Sequence, residues 1–186
     1  MPCPHPAVPS PVVALAGWCP LSPTGTQTTQ LLVKPAWTPA VLWDRVTLTC
    51  RGWGAAGATT WYKDRQRWDQ KGLDHVFVDA SGTYMCHRPG SGLSPSVTVS
   101  DGPLVLQVPT RELLEGDTVT LRCRGWQDMS VAGVQYYHGD KEVSWSSTEN
   151  EWSLSTLQLH HNGHYHCKGL VTSRGWQKSG PVTLTV

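Results

Sequence analysis

The phrase VTLTCRGW, Val46 to Trp53, is written again as VTLRCRGW, Val119 to Trp126. Each copy is followed by a second matched phrase, SGTYMCH from Ser81 to His87 and NGHYHCK from Asn162 to Lys168. A repeat of this length, with one cysteine at the same place in each phrase, means a duplicated unit closed by an internal disulfide. The pairs are Cys50 with Cys86 and Cys123 with Cys167, which implies an oxidising compartment.

The repeat divides the 186 residues into two units, each close to the size of an immunoglobulin-like sandwich. Units this small are marginal on core burial alone, so a cross-link matters. Closing a loop of a few dozen residues contributes about 3–4 kcal/mol in the chain-entropy model. The boundaries read as an N-terminal segment 1–27, a first domain 28–101 and a second domain 102–186. The fold class is all-β, two tandem C2-type immunoglobulin-like sandwiches joined by a short bent linker.

Charge is nearly balanced, 15 basic against 14 acidic residues, and neither half forms a basic tail, which argues against nucleic acid as a partner. Ten tryptophans stand against one phenylalanine. Some must be core, but so many point to a recognition surface as well. Residues 1–33 contain no Lys, Arg, Asp or Glu and are rich in proline, with an apolar run from Val12 to Trp18. The segment reads as a degraded leader or a proline-rich tail, since the basic start of a signal peptide is missing. Cys3 and Cys19 lie outside both repeats and either pair with each other, pair between chains, or belong to a removed segment. No run of about 20 apolar residues marks a membrane span. The chain ends at Val186 on an expected strand, so the protein is either secreted or anchored by a segment beyond it.

Strand parity fills in the sandwiches. Val46, Leu48 and Cys50 share one face, with Thr47, Thr49 and Arg51 on the other. Thr59 to Lys63 reads as the next core strand, placing Trp61 against the bridge. Tyr84, two residues before Cys86, reads as a tyrosine corner, and Val97 and Val99 close the domain. The second domain follows suit with Val119, Leu121 and Cys123, then Val134 to Tyr137, then Trp152, Leu154 and Leu157. Tyr165 with Cys167, and Val182, Leu184 and Val186, complete it. Tyr136 takes the place of Trp61 and needs a hydrogen-bond partner if buried. Trp61, Tyr84, Tyr136 and Tyr165 are the expected aromatic core. Ser100-Asp101-Gly102-Pro103 is too short for a flexible tether, so the domains meet at a fixed, bent joint.

LVLQVP from Leu104, EGDTVTLRCRGWQD from Glu115 to Asp128, VQYYHGDKEV, NGHYHCKG and PVTLTV together resemble the membrane-proximal domain of leukocyte Fc receptors. The resemblance takes in Fc-gamma receptors, the Fc-epsilon receptor alpha chain and Fc receptor-like proteins, and covers about residues 28 to 186. It implies an ectodomain that binds immunoglobulin Fc, IgG foremost, mainly through its second domain. In that family two tryptophans grip an Fc proline. The one in the second domain's first loop matches Trp126. The one at the joint is replaced here by Pro103, so half of the clamp is missing. The remaining footprint implies contacts from Gln127, Tyr137, Lys141, Trp145, Leu170 and Arg174. The family is heavily glycosylated, yet neither Asn150 nor Asn162 sits in an acceptor sequon. Signalling would come from a missing tail or an associated adaptor chain.

Plainer readings stand beside these. Trp53 occupies the place of Trp126 in the first domain with no implied role, and Trp61 and Trp152 read as core. His164 and His166 share an outward strand face, which reads as a solvated face rather than a metal site, with a pH-sensitive contact conceivable beside the binding surface. No elbow, zincin or phosphate-loop motif is present, so the chain reads as a non-enzyme without cofactor or small-molecule substrate. Alternatives to Fc binding are a related leukocyte receptor with an MHC-like or unassigned ligand, and a secreted decoy.

Overall fold

Val46, Leu48 and Cys50 are almost fully buried while Arg51 is exposed, so the two-residue periodicity of the repeat phrase does bury one face of a strand. The computed structural model describes residues 28–186. The N-terminal segment, with Cys3 and Cys19, lies outside the described residues. The first sandwich comprises β1 (Gln30–Lys34), β2 (Trp37–Thr38), β3 (Ala40–Val41), β4 (Thr47–Arg51), β5 (Thr60–Lys63), β6 (Gln66–Trp68), β7 (His75–Phe77), β8 (Gly82–Arg88), β9 (Gly92–Leu93) and β10 (Val97–Ser100). One sheet runs β1-β4-β7 and the other β3-β10-β8-β5-β6, with β9 on β8. Trp61, 1% exposed, lies across from Cys86 in the register and fills the space between the sheets.

The second sandwich comprises β11 (Leu104–Pro109), β12 (Val119–Gly125), β13 (Val131–His138), β14 (Lys141–Ser146), β15 (Glu151–Leu154), β16 (Gly163–Val171), β17 (Gly175–Lys178) and β18 (Val182–Leu184). Its sheets run β15-β12-β11 and β14-β13-β16-β17, with β18 on β16. Tyr136 stands where Trp61 does, and its buried hydroxyl donates to the Asn150 carbonyl at 2.7 Å. The tyrosine corner appears twice: Tyr84 donates to the Ala80 carbonyl at 2.6 Å, and Tyr165 to that of His161 at 2.9 Å. Disulfides Cys50–Cys86 and Cys123–Cys167 cross the two cores, closing separations of 36 and 44 residues.

The joint is bent, and the pairing shows why. β2, from the first domain, adds antiparallel to the edge of the second domain's sheet, with Val108 opposite Thr38 and Pro109 opposite Trp37. An end-to-end tandem could not bring Trp37 beside Pro109, at the far end of β11. The contact covers an edge strand whose amide and carbonyl groups would otherwise be unpaired. Gln107, fully buried, donates its amide to the Pro39 carbonyl at 2.9 Å, and Arg122 lies 4.6 Å over the Trp37 ring.

Candidate functional site

Trp126 opens a single 3-10 turn, Trp126–Asp128, as β12 leaves the core. Gln127 and Asp128 both take left-handed backbone, φ 47 and 61, a conformation that costs about 1–2 kcal/mol per residue without glycine. The joint holds this turn from two sides. The Trp126 amide donates to the Pro103 carbonyl at 3.0 Å, and its indole Nε1 donates to Asp101 Oδ1 at 2.9 Å. Pro103, standing where the resemblance implies an indole, thus serves the site through its backbone.

Beneath the turn Arg124 has a side chain only 7% exposed. Its guanidinium reaches Asp44 of the first domain with contacts of 2.5 and 3.0 Å, and Asp128 with contacts of 3.1 and 2.5 Å. Burial works against its charge, but the two carboxylates outweigh that and hold its pKa above the usual arginine range. One cation therefore ties the first domain, the second domain and the loop carrying Trp126 together.

Arg174 covers the Trp126 ring, its guanidinium carbon 4.3 Å from the ring centre. Its loop is pinned to the Trp126 side of the domain, since Thr172 donates both amide and hydroxyl to the Ser130 carbonyl. From there the outward face of the β14-β13-β16-β17 sheet can be followed by register, because directly opposed residues share a face. Ala132, Leu170 and Trp176 form the first row, with Leu170 42% and Trp176 61% exposed. Trp145, Gln135, Lys168 and Lys178 form the second, and Glu142, Tyr137 and His166 the third.

Of the residues singled out by sequence, Trp126, Gln127, Pro103, Arg174 and Leu170 come together at the joint end. Trp145 stands in the second row and Tyr137 in the third. Lys141 is opposite His138 at the far end of β13, roughly 20 Å away at about 3.3 Å per residue. It does not share the Tyr137 face, because a register shift separates Tyr136 from Tyr137.

Sequence reading passed over Trp176, Asp101 and the Asp44–Arg124 pair. Trp176 rests on Gly133, where any Cβ would stand 3.2 Å from its ring at a φ of +58. The parity that put Cys167 inside puts Leu170 outside, and Trp176 opposite it was within reach of the same count.

His166 corrects the reading of a solvated histidine face. It is 8% exposed, stacked on Tyr137 with ring centres 4.7 Å apart, while Lys168 lies 4.7 Å over the other participant, Tyr137. Burial first, then Lys178 and Lys168, push its pKa below the usual histidine value. His164 remains exposed and contacts the Thr183 hydroxyl at 3.1 Å. Among the described residues no cluster of three metal-ligating side chains occurs, and no helix is long and apolar enough to cross a membrane. A cleft of about 630 Å³ at the joint is lined by Thr38, Pro39, Ser100, Leu104 and Pro181 among others, and holds none of the binding residues singled out from the sequence.

The family described as "Immunoglobulin domain" matches residues 103–186. "Low affinity immunoglobulin gamma Fc region receptor II" of Mus musculus is 34% identical over 163 residues, covering 83% of this chain and 49% of that protein. "Low affinity immunoglobulin gamma Fc region receptor III" of Rattus norvegicus is 33% identical over 161 residues, covering 82% and 60%. "Fc receptor-like B" of Mus musculus is 31% identical over 158 residues, covering 76% and 35%. The chain spans about half the length of the curated relatives it matches. Among solved structures, the human OSCAR ligand-binding domain is similar at 21% identity and a TM-score of 0.32, over 86% of this chain and 98% of that one.

Proposed function

The chain belongs to the leukocyte Fc receptor family, a family of receptors rather than enzymes, and from that premise we propose that it binds the Fc region of an immunoglobulin, IgG foremost, through its second domain. The observation that carries the reading is the Trp126 turn. It is a strained loop bearing a half-buried indole, fixed by Asp101, Pro103 and Arg124, at the end of an exposed aromatic face. Strain held in place by surrounding contacts is a mark of a preorganised site, and aromatic and arginine anchors dominate protein interfaces. The partner docks on Trp126, Leu170, Arg174 and Trp176, with Trp145 and Tyr137 extending the contact. The bent joint keeps this surface rigid, so little ordering is lost on binding. Display at the cell surface, through a segment outside this chain, and coupling to a signalling adaptor would complete such a receptor.

A second reading is favoured by two features, Pro103 at the joint and Arg174 lying over Trp126. Both change what a two-indole clamp would accept, and they suit a related leukocyte receptor whose ligand is MHC-like rather than Fc. Surface binding of the chain to a same-species immunoglobulin panel, with Trp126→Ala alongside, separates the two. Saturable binding to one isotype that collapses in the variant supports Fc recognition. A well-folded chain that binds no isotype removes it in favour of the second reading.

A further inference from the structure

We propose that Arg174, lying over the Trp126 ring, is a carboxylate-reading group, so that the protein partner places an acidic side chain at this point rather than an apolar ring. The proposal rests on the Fc reading for the partner's identity, but its chemistry is read from Arg174 itself. The Arg174 guanidinium carbon lies 4.3 Å over the indole, a distance at which an arginine interacts with the ring face while its N–H groups stay available to an acceptor. Among the described residues those groups donate to no acceptor and form no ion pair, and Arg174 is exposed. The nearby carboxylates are already engaged. Asp101 accepts from the Trp126 indole, while Asp44 and Asp128 are held by Arg124.

The side chain is also preoriented. The Arg174 amide donates to the Val171 carbonyl at 3.1 Å, and Gln177 donates to the Arg174 carbonyl at 2.7 Å, which fixes the loop from which it reaches Trp126. A guanidinium resting over a ring loses less freedom on binding than a lysine would, and its planar fork matches a carboxylate with two parallel hydrogen bonds. Two further cations lie along the same face, Lys168 and Lys178 in the row beyond Leu170 and Trp176, with no acidic residue in either row. The surface is thus an apolar patch between an arginine and two lysines, and its complement is an apolar segment carrying acidic residues. A partner that wedged an apolar ring onto Trp126 would first have to displace Arg174.

The direct test uses the full chain and the Nε–Hε resonances of its arginines. N-acetyl-aspartate N-methylamide is titrated against the matching asparagine compound. A saturable shift of Arg174, with the Trp126 indole resonance following, is expected from the carboxylate alone, while buried Arg88 and Arg124 stay still. No shift at Arg174, or the same shift from the amide, overturns the proposal. In the immunoglobulin panel, Arg174→Gln should weaken binding about tenfold and flatten its salt dependence, with Arg174→Lys recovering part of the loss. Unchanged or tighter binding by Arg174→Gln would make the guanidinium a lid and also overturn it. If the wild type binds no immunoglobulin yet Arg174 still reads the carboxylate, the Fc reading fails and this one stands.

Discussion

Arg124 and Asp44, 80 residues apart, form a two-point ion pair across the joint, with contacts of 2.5 and 3.0 Å and side chains 7% and 18% exposed. Removing one partner of a buried pair costs more than the pair is worth, because the other charge stays behind desolvated. Asp128 remains as a second acceptor, so the loss is moderated. Asp44→Asn should lower stability by about 2 kcal/mol and widen the distribution of domain angles. Denaturant unfolding reads the first and small-angle scattering the second. Asp128→Asn should cost less, since that carboxylate is 64% exposed. If Asp44→Asn unfolds and scatters like the wild type, the pair does not hold the joint.

Tyr136 shows how the second core accommodates a polar group in the place of an indole. Its hydroxyl donates to the Asn150 carbonyl, and burial pushes its pKa well above the usual tyrosine value. Tyr136→Phe keeps the ring between Trp152 and the bridge and leaves the Asn150 carbonyl with the Cys123 amide as its remaining donor, so losing one hydrogen bond should cost about 1 kcal/mol. Tyr137→Phe, whose hydroxyl makes only longer contacts of 3.2 and 3.4 Å at the surface, should be close to neutral. Equal losses from the two substitutions would mean that the Asn150 contact contributes nothing.

How far sequence reached is clear from these two cases. The place of Tyr136 and its need for a partner followed from the repeat and from the chemistry of a buried phenol. The fixed joint followed from the four residues between Val99 and Leu104. The partner of Arg124 did not, because Asp44 sits in a 3-10 turn, Leu42–Asp44, with no periodicity to place it. β2 is two residues long and pairs across domains, and no local pattern announces such a strand. Parity put His166 on the outer face correctly, but parity says nothing about what lies on top, and there the Tyr137 ring buries it. The same limit hid Arg174 over Trp126.

Gly133 makes room for Trp176. Its φ of +58 is left-handed, and a Cβ there would stand 3.2 Å from the indole. Gly133→Ala should destabilise the second domain by about 1–2 kcal/mol, from the backbone alone. It should also lift Trp176 off the sheet, changing tryptophan emission in the wild type but not in a Trp176→Phe background. An emission change that persists in that background would assign the effect to another tryptophan.

His166 gives the fold a pH dependence whose direction follows from its surroundings. Burial, then Lys178 and Lys168, lower its folded pKa, with Asp140 opposing, while unfolded histidine titrates near about 6.5. Above that value both states are neutral and the stability is fully present. As the pH falls below it the unfolded chain takes up a proton that the folded chain resists, so stability declines until the folded value is passed, then levels off. His161 is shifted in the same direction, by burial and then by His160 and His138, so the wild-type slope holds both contributions. His166→Phe preserves a ring on Tyr137 and removes the titration. Its melting temperature should fall less than that of the wild type between pH 7 and pH 5. Parallel curves for the two proteins would show that His166 carries no such linkage.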